Sequence, residues 1–142
     1  MKYYIATDHA AYAIKDKVKE IIRNLGHEIE DLGTNSSDRV DYPDFAHKLS
    51  NAVLADEGSF GILICGTGIG MSLAANKHKG IRAALCHDAY TAQMARAHND
   101  ANVLCFGERV VGLGVIESIC KTWSKTSFEG GRHANRVAKI EI

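Results

Sequence analysis

A cysteine lies at the junction of an apolar run and a glycine-rich turn. The run ends in I-L-I-C at Cys65, and G-T-G-I-G follows at residues 66–70. Apolar residues without alternation predict a strand buried on both faces, and the helical composition after Gly70 predicts a strand-to-helix turn. Such a turn directs free backbone N–H groups toward one point. A thiol beside that point is favoured as thiolate, and the same amides can hold a developing oxyanion, so the pattern predicts an enzyme.

The glycine turn also invites comparison with nucleotide-binding loops. Its spacing is G-x-G-x-G, whereas the dinucleotide fingerprint is G-x-G-x-x-G and follows the first strand of its fold. Asp88 lies near the end of the next predicted strand, where a ribose-binding acid is expected, but the remaining length holds no second nucleotide-binding half. A P-loop is excluded because no Gly-Lys-Ser/Thr follows. Glycine turns in this fold class are often only structural, so the turn alone does not establish function.

Several polar residues directly follow predicted strands. Ligands of open parallel sheets bind beyond the carboxyl ends of the strands, and this rule selects the candidates. They are Asp8, His9, Cys65, Gly66, Gly68, Gly70, His87, Asp88, Glu108 and Arg109, to which predicted helix ends add His98 and Asn99. A lone Asp8 fits a helix cap as well as a site, and His87 fits a surface or capping position better than a chemical one.

Two arginines lie four residues apart near the end of the chain. Arg132 and Arg136 share one face of a helix predicted at residues 132–140. Paired guanidinium groups suit a phosphate, because each binds phosphate oxygens through two hydrogen bonds and stays charged. Taken alone, the pair is better explained by an exposed helix whose arginines pair with nearby acids. So short a helix is marginal by itself, so we expect it to dock on the body of the protein or on a second subunit.

Hydrophobic periodicity predicts five strands that alternate with helices. The strands are predicted at 3–7, 27–32, 60–65, 81–86 and 102–106, and the helices at 12–25, 44–57, 70–79, 89–99, 113–123 and 132–140. Pro43 is expected to hold Tyr42 extended before a helix that Asp44 opens. Asp88 is expected to cap a helix. Strands that are each followed by a helix predict a single-domain α/β fold, a three-layer α/β/α sandwich with a Rossmann-like five-stranded parallel sheet.

Composition narrows the class of protein. The 142 residues are near the common single-domain size. Seventeen basic and seventeen acidic side chains give no net charge, which argues against a nucleic-acid or membrane-surface protein and favours a small partner. The four cysteines show no C-x-x-C pair and are expected to be reduced thiols, while His27, His47 and His78 are expected to be solvated. No signal peptide or membrane span is recognisable, so a cytoplasmic location is expected.

Six motifs are distributed along the chain between residues 7 and 137. They are T-D-H-A-A-Y at 7–12, D-Y-P-D-F-A at 41–46, G-I-L-I-C-G-T-G-I-G-M-S-L-A-A-N-K at 61–77, G-I-R-A-A-L-C at 80–86, A-R-A-H-N-D-A-N-V-L-C-F-G-E-R-V-V-G at 95–112 and F-E-G-G-R-H-A-N-R-V at 128–137. As a set, these motifs resemble ribose-5-phosphate isomerases of type B, a family that also contains the galactose-6-phosphate isomerase subunits. Phe128 departs from the tyrosine expected there and removes a hydroxyl.

The resemblance implies roles for the matching residues. Cys65 would be the base that moves a proton between sugar carbons, and His98 would assist ring opening. The residues implied in binding the sugar phosphate are Asp8, His9, the turn Gly66, Thr67, Gly68, Ile69 and Gly70, and then Asn99, Arg132 and Arg136. Another branch of the family uses glutamate at the position of Met71 as base, with glycine at that of Cys65, so this chain resembles the cysteine branch.

The implied reaction interconverts ribose 5-phosphate and ribulose 5-phosphate, a step of the non-oxidative pentose phosphate pathway, through an enediolate. We expect the turn amides and the Thr67 hydroxyl to hold the enediolate oxygen. Arg109 is a weaker candidate for the phosphate than Arg132, Arg136 and His9. No metal or other cofactor is expected. The family also implies a homodimer or a dimer of dimers, with part of each phosphate site built by the neighbouring chain. From the charge balance, no nucleic-acid or membrane partner is expected.

Two alternatives remain at this point. The first is isomerisation of a six-carbon sugar phosphate, such as allose or galactose 6-phosphate, because one extra carbon changes binding by only a few kcal/mol. The second is a phosphosugar or nucleotide sensor without catalysis, in which Cys65 would be an ordinary buried thiol. That sensor leaves the joint presence of Cys65, His98 and the two arginines unexplained.

Overall fold

Five parallel strands form the centre of the protein, and the computed structural model describes residues 1–142 throughout. The strands are β1 (Lys2–Thr7), β2 (Glu28–Asp31), β3 (Phe60–Cys65), β4 (Ala83–Leu85) and β5 (Val103–Gly107). Their order across the sheet is β2-β1-β3-β5-β4, and every neighbouring pair is parallel. The predicted parallel α/β sheet is therefore confirmed.

Six helices connect and cover the strands. They are α1 (Lys15–Asn24), α2 (Tyr42–Ala55), α3 (Ile69–Ala75), α4 (Ala89–Ala97), α5 (Leu113–Lys125) and α6 (Arg132–Ala138), and a 3-10 turn at Tyr12–Ile14 precedes α1. Apolar residues of α1, α4 and α5 join one core cluster, and those of α2 and α3 join the other. The sheet thus lies between two helical layers. None of these helices has the length and apolar character that a membrane crossing needs.

Successive residues of β3 supply the two cores in turn. Ile62 and Ile64 belong to the core under α1, α4 and α5, whereas Leu63 and Cys65 belong to the core under α2 and α3. Side chains of a strand alternate between its faces, so an unbroken apolar run is what a doubly covered strand requires. Burying each such aliphatic side chain stabilises the fold by about 1.5–3 kcal/mol. The same alternation sends the thiol of Cys65 toward the α2–α3 layer.

The start of α2 differs from the sequence prediction. The helix begins at Tyr42, and it is Asp41 that is extended, with φ of −91° and ψ of 115°. The expectation that Pro43 would keep Tyr42 out of the helix was wrong. Proline fits the first helical turn, because its fixed φ is helical and its missing N–H would have no partner there. Tyr42 is therefore part of the first turn of α2, which matters for the site.

The prediction that Asp88 caps α4 is confirmed. The prediction that His27, His47 and His78 are solvated is wrong in part. Asp88 Oδ1 accepts the Thr91 N–H at 2.7 Å and completes a capping box. His27 is half-buried, with its ring centroid 5.3 Å from that of Tyr3. His47 Nδ1 and His78 Nε2 lie 2.7 Å apart, so these two rings pair across α2 and the segment after α3.

Candidate active site

The carboxyl ends of three central strands lie level with one another. Cys65 pairs with Gly107 of β5, and Thr7 of β1 pairs with Ile64. Beyond the strands, the Asp8 N–H donates to the Ile64 carbonyl at 3.3 Å and the Glu108 N–H donates to the Cys65 carbonyl at 2.9 Å. The loops after β1, β3 and β5 therefore meet at one place. We call this place the cysteine edge; its candidate residues are Asp8, His9, Cys65, Gly66, Thr67, Gly68, Ile69, Gly70 and Arg109.

The sulfur of Cys65 accepts a backbone hydrogen bond from the turn. The Gly68 N–H donates to Cys65 Sγ at 3.1 Å, and Cys65 is only 5% exposed. Gly68 has a φ of 80°, and a Cβ there would lie 2.6 Å from the Leu85 side chain and 2.7 Å from the Phe106 carbonyl carbon. Glycine at this position lets the turn close tightly enough to direct an amide N–H at the sulfur.

Four amides of the turn have no partner within the chain. The first backbone bond of α3 runs from the Ser72 N–H to the Gly68 carbonyl at 3.1 Å. The free N–H groups beside it are those of Gly66, Thr67, Gly70 and Met71. The Ile69 N–H uses the Thr67 hydroxyl oxygen as acceptor at 3.3 Å, which leaves the hydroxyl hydrogen able to donate elsewhere. These donors suit an oxyanion next to the Cys65 sulfur.

Arg109 and Tyr42 border the glycine turn on two sides. The Arg109 N–H donates to the Gly66 carbonyl at 3.0 Å, and its guanidinium lies over Gly66, where a Cβ would be 3.5 Å from Nη1. The Tyr42 ring packs over Gly70 so closely that a Cβ there would overlap it. Sequence reasoning did not place Tyr42 in the site. Pro43 could have indicated this position, because a proline in the first turn of a helix places the preceding residue at the start of that helix, here α2.

Asp8 and His9 are held by the backbone of their own loops. Asp8 is 7% exposed, and its Oδ1 accepts the Ala11 N–H at 3.2 Å while its Oδ2 has no protein partner. His9 Nδ1 accepts the Val40 N–H at 3.2 Å. The ring proton of a neutral His9 is therefore on Nε2, which remains available as a donor. Asp8 thus caps its turn, as one interpretation expected, and still offers an oxygen to a ligand.

His98 and Asn99 lie at the opposite edge of the sheet. Because α4 runs back along the sheet, its last residues lie beside the beginnings of the strands. The Arg96 guanidinium lies 4.6 Å from the ring centroid of Phe60, the first residue of β3. Asn99 borders a hollow with Ile81 and other residues that precede β4. A strand of this length spans about 15–20 Å, so within one chain His98 cannot reach the Cys65 sulfur.

The two arginines of α6 share the edge of His98. The His98 and His133 rings are stacked, with centroids 4.2 Å apart and planes 12° apart, and the Glu129 N–H donates to the Ala97 carbonyl at 3.0 Å. Arg132 and Arg136 are exposed and make no ion pair, so the alternative of acid-paired arginines is not what the structure shows. We call this second place the arginine edge; its candidate residues are His98, Asn99, Arg132 and Arg136.

The remaining candidates have structural positions. Asp88 caps α4, and the hydrogen bonds from the Thr91 backbone and side chain hold the pKa of its carboxyl below the usual range. His87 is exposed beside that cap. Burial raises the pKa of the Cys86 and Cys120 thiols to about 12, so these sulfurs stay protonated at neutral pH. Cys105 is fully enclosed, and burial raises the pKa of its thiol as well. Cys65 is the cysteine whose sulfur meets a turn amide at a loop edge.

One group of side chains has the composition of a metal site. His98, Glu129 and His133 offer ligand atoms that lie within 4.8 Å of one another. The two rings are nearly parallel, so their nitrogen lone pairs run side by side instead of converging on one ion. The cysteine edge offers one cysteine sulfur, one carboxylate and one imidazole, and each already accepts a backbone N–H.

Comparison with known proteins identifies the family. The profile of the Ribose/Galactose Isomerase family matches residues 3–140. The ribose-5-phosphate isomerase B of Escherichia coli is 47% identical over 139 residues, covering 98% of this chain and 93% of that protein. The D-erythrulose-4-phosphate isomerase of Pectobacterium atrosepticum is 41% identical over 137 residues, covering 96% and 90%.

The solved structures agree. Ribose-5-phosphate isomerase B of Clostridium thermocellum superimposes with a TM-score of 0.95 at 51% identity, over 99% of this chain and 95% of that chain. A TM-score of 0.95 over nearly the full length shows that the two proteins share one fold. The chain is therefore an isomerase of the ribose/galactose isomerase family.

Proposed function

We propose that this isomerase interconverts ribose 5-phosphate and ribulose 5-phosphate. The observation that carries the proposal is the Cys65 sulfur, which accepts the Gly68 N–H at 3.1 Å among amides that have no partner in the chain. A base beside an oxyanion site is what enediolate chemistry needs. Relatives named for the ribose reaction, such as that of Escherichia coli, support the choice of substrate.

Cys65 acts as the proton-transfer base. Its thiolate removes the proton from C2 of the open-chain aldose, which gives an enediolate with negative charge on the former carbonyl oxygen at C1. The thiol then returns its proton to C1, the C2–O bond becomes the ketone carbonyl, and the proton of the C2 hydroxyl moves to the C1 oxygen. The free amides of the turn and the Thr67 hydroxyl hold that oxygen. Each well-aimed donor of this kind lowers a barrier by about 3 kcal/mol. His98 protonates the ring oxygen beforehand, when the furanose opens.

Two chains are needed to complete each site. His98 and Cys65 lie at opposite edges of the sheet in one chain, so we infer a homodimer in which the arginine edge of one chain faces the cysteine edge of its partner. The short helix α6 then docks on the neighbouring subunit and brings Arg132 and Arg136 to the sugar phosphate. A dimer of dimers would repeat the same contact.

The phosphate and the hydroxyls are then held from both chains. Arg132 and Arg136 of one chain, with His9 and Arg109 of the other, surround the phosphate, for which guanidinium groups have matching geometry. Asp8 contributes its free Oδ2 to a hydroxyl, and Asn99 contributes its amide. Binding energy from the phosphate holds the reacting carbons against the sulfur.

A comparison of substrates tests this proposal. The purified protein would be assayed for kcat/KM with ribose 5-phosphate, allose 6-phosphate, galactose 6-phosphate and erythrose 4-phosphate. We expect ribose 5-phosphate to be preferred. A higher kcat/KM for a six-carbon phosphate would show that the assigned substrate is wrong and would leave the proposed mechanism unchanged. The same holds for erythrose 4-phosphate, which is included because the Pectobacterium relative is named D-erythrulose-4-phosphate isomerase. No conversion of any of them would indicate a sensor.

A further inference from the structure

A carboxylate and a second imidazole contact His98 within its own chain. Glu129 Oε1 lies 3.7 Å from His98 Nε2 and 3.5 Å from His133 Nε2. The stacked rings, 12° from parallel, place His133 flat against His98. The carboxylate thus faces the same nitrogen of both rings, and His98 Nδ1 has no partner within the chain.

The backbone holds this cluster in place. The Glu129 N–H donates to the carbonyl of Ala97, the last residue of α4, at 3.0 Å, and the His133 N–H donates to the Gly130 carbonyl at 3.0 Å. The His133 side chain is 9% exposed, whereas that of His98 is 37% exposed. The buried His133 ring therefore packs against one face of His98, and His98 is the more exposed of the two rings.

We propose that Glu129 and His133 are positioning residues for His98, which they hold so that Nδ1 delivers the proton that opens the sugar ring. The proposal rests on the proposed function. In the step, the Nδ1–H proton moves to the ring oxygen, the bond from C1 to that oxygen breaks, and the C1 hydroxyl becomes an aldehyde as it loses its proton to water. At 3.7 Å the Glu129 carboxylate acts on His98 Nε2 at ion-pair distance and without a hydrogen bond, and its charge favours the ring orientation that leaves Nδ1 free.

The test separates ring opening from proton transfer between carbons. Ribulose 5-phosphate cannot close a five-membered ring, because its 5-hydroxyl carries the phosphate. Deuterium from D₂O enters its C1 position whenever Cys65 forms the enediolate and returns a proton. This exchange, followed by NMR, needs the base and not the ring-opening acid. Conversion of ribose 5-phosphate needs both.

Two disruptive and two conservative variants are compared in the full-length protein. We expect Glu129→Leu and His133→Ala to lower kcat/KM for ribose 5-phosphate by about tenfold or more, with deuterium exchange within about twofold of wild type. Glu129→Gln keeps an acceptor and His133→Phe keeps the stacked ring, so each should recover most of the loss. Glu117→Leu, at an exposed position on α5, is the matched control and should change neither reaction.

The outcomes are distinct. A proportional fall in conversion and exchange would show a general structural defect, and unchanged conversion would show that His98 needs no support; either result overturns the positioning role. Urea unfolding and sedimentation of each variant identify misfolded protein. A wild-type enzyme that leaves ribose 5-phosphate untouched would instead overturn the proposed function, before any variant is compared.

Discussion

Cys65 differs from the other cysteines in what its sulfur meets. Cys105 and Cys120 are enclosed by apolar side chains on either side of the sheet, and burial raises the pKa of both thiols, so neither carries charge at neutral pH. The Cys65 sulfur lies at the end of β3 and accepts an amide N–H from Gly68. Cys65 is therefore the cysteine whose sulfur faces the amides of the glycine turn, which is why it is the proposed proton-transfer base.

Removal of this sulfur should abolish turnover and spare binding. For Cys65→Ala, we expect kcat to fall by about 10²–10⁴-fold, the usual contribution of a positioned base. Affinity for a non-isomerisable sugar phosphate, measured by calorimetry, should stay close to that of wild type because the phosphate contacts remain. Cys120→Ala is the control and should keep kcat, although its core contact is lost. Full activity in Cys65→Ala would refute the assigned base.

At the scale of the element, the β3–α3 turn works because it is tightly packed. Gly107 receives the backbone of Thr67 so closely that a Cβ at Gly107 would lie 2.5 Å from the Thr67 carbonyl carbon. Gly68 is enclosed by Leu85 and Phe106 in the same way. This packing fixes the direction in which the turn amides point, which is the property an oxyanion site needs.

The variant Gly68→Ala should lose stability and activity together. A non-glycine residue at a φ of 80° costs about 1 kcal/mol, and the overlap with Leu85 and Phe106 adds about 1–3 kcal/mol. Gly26→Ala is matched to it, because Gly26 has a φ of 92° with nothing within 4 Å of its Cβ. Urea denaturation should therefore show the larger loss for Gly68→Ala, and kcat should fall for that variant alone. Equal losses in the two variants would show that the close packing has no role.

The sequence predicted these elements where apolar periodicity was long and unambiguous. The β3 run and the Asp88 cap were correct, because each is decided by neighbouring residues. The prediction for Tyr42 was wrong, because the fit of proline to a first helical turn outweighs the general effect of Pro43 on its predecessor. The pairing of His47 with His78 could not be predicted, since it joins residues 31 apart along the chain.

The candidate site was predictable in composition and not in arrangement. Asp8, Cys65 and Arg109 follow strands and lie together as that rule expects. His98 ends a helix, and in an alternating fold the end of a helix lies at the start of the strands. The order of elements therefore predicts that His98 lies at the edge of the sheet opposite Cys65 in the same chain.

At the scale of the whole molecule, separate chains should complement each other. Cys65→Ala and His98→Ala should each be inactive when pure. In co-expressed or refolded mixtures, a mixed dimer has one site with both residues intact and one with neither. Random pairing would thus restore about one quarter of wild-type activity. Mixtures that stay inactive although differently tagged variant chains are isolated together as dimers would contradict a site shared between two chains.

The isomerisation should also be insensitive to chelators. The proposed steps use a thiol, amides, a histidine and guanidinium groups, and none of them requires a Lewis acid. After dialysis against EDTA we expect kcat and KM to match those of untreated enzyme. Loss of activity that is restored by a divalent ion would contradict a metal-free proton transfer.

Because the cysteine edge and the arginine edge are separated by the length of a strand, the activity should depend on the concentration of the protein. A lone chain would fold around its own core, since both apolar clusters are complete within it. In the proposed dimer each site takes residues from both chains, so we expect a lone chain to be inactive. Specific activity should therefore decline on dilution below the dissociation constant of the assembly, while circular dichroism of the same samples remains that of the native fold.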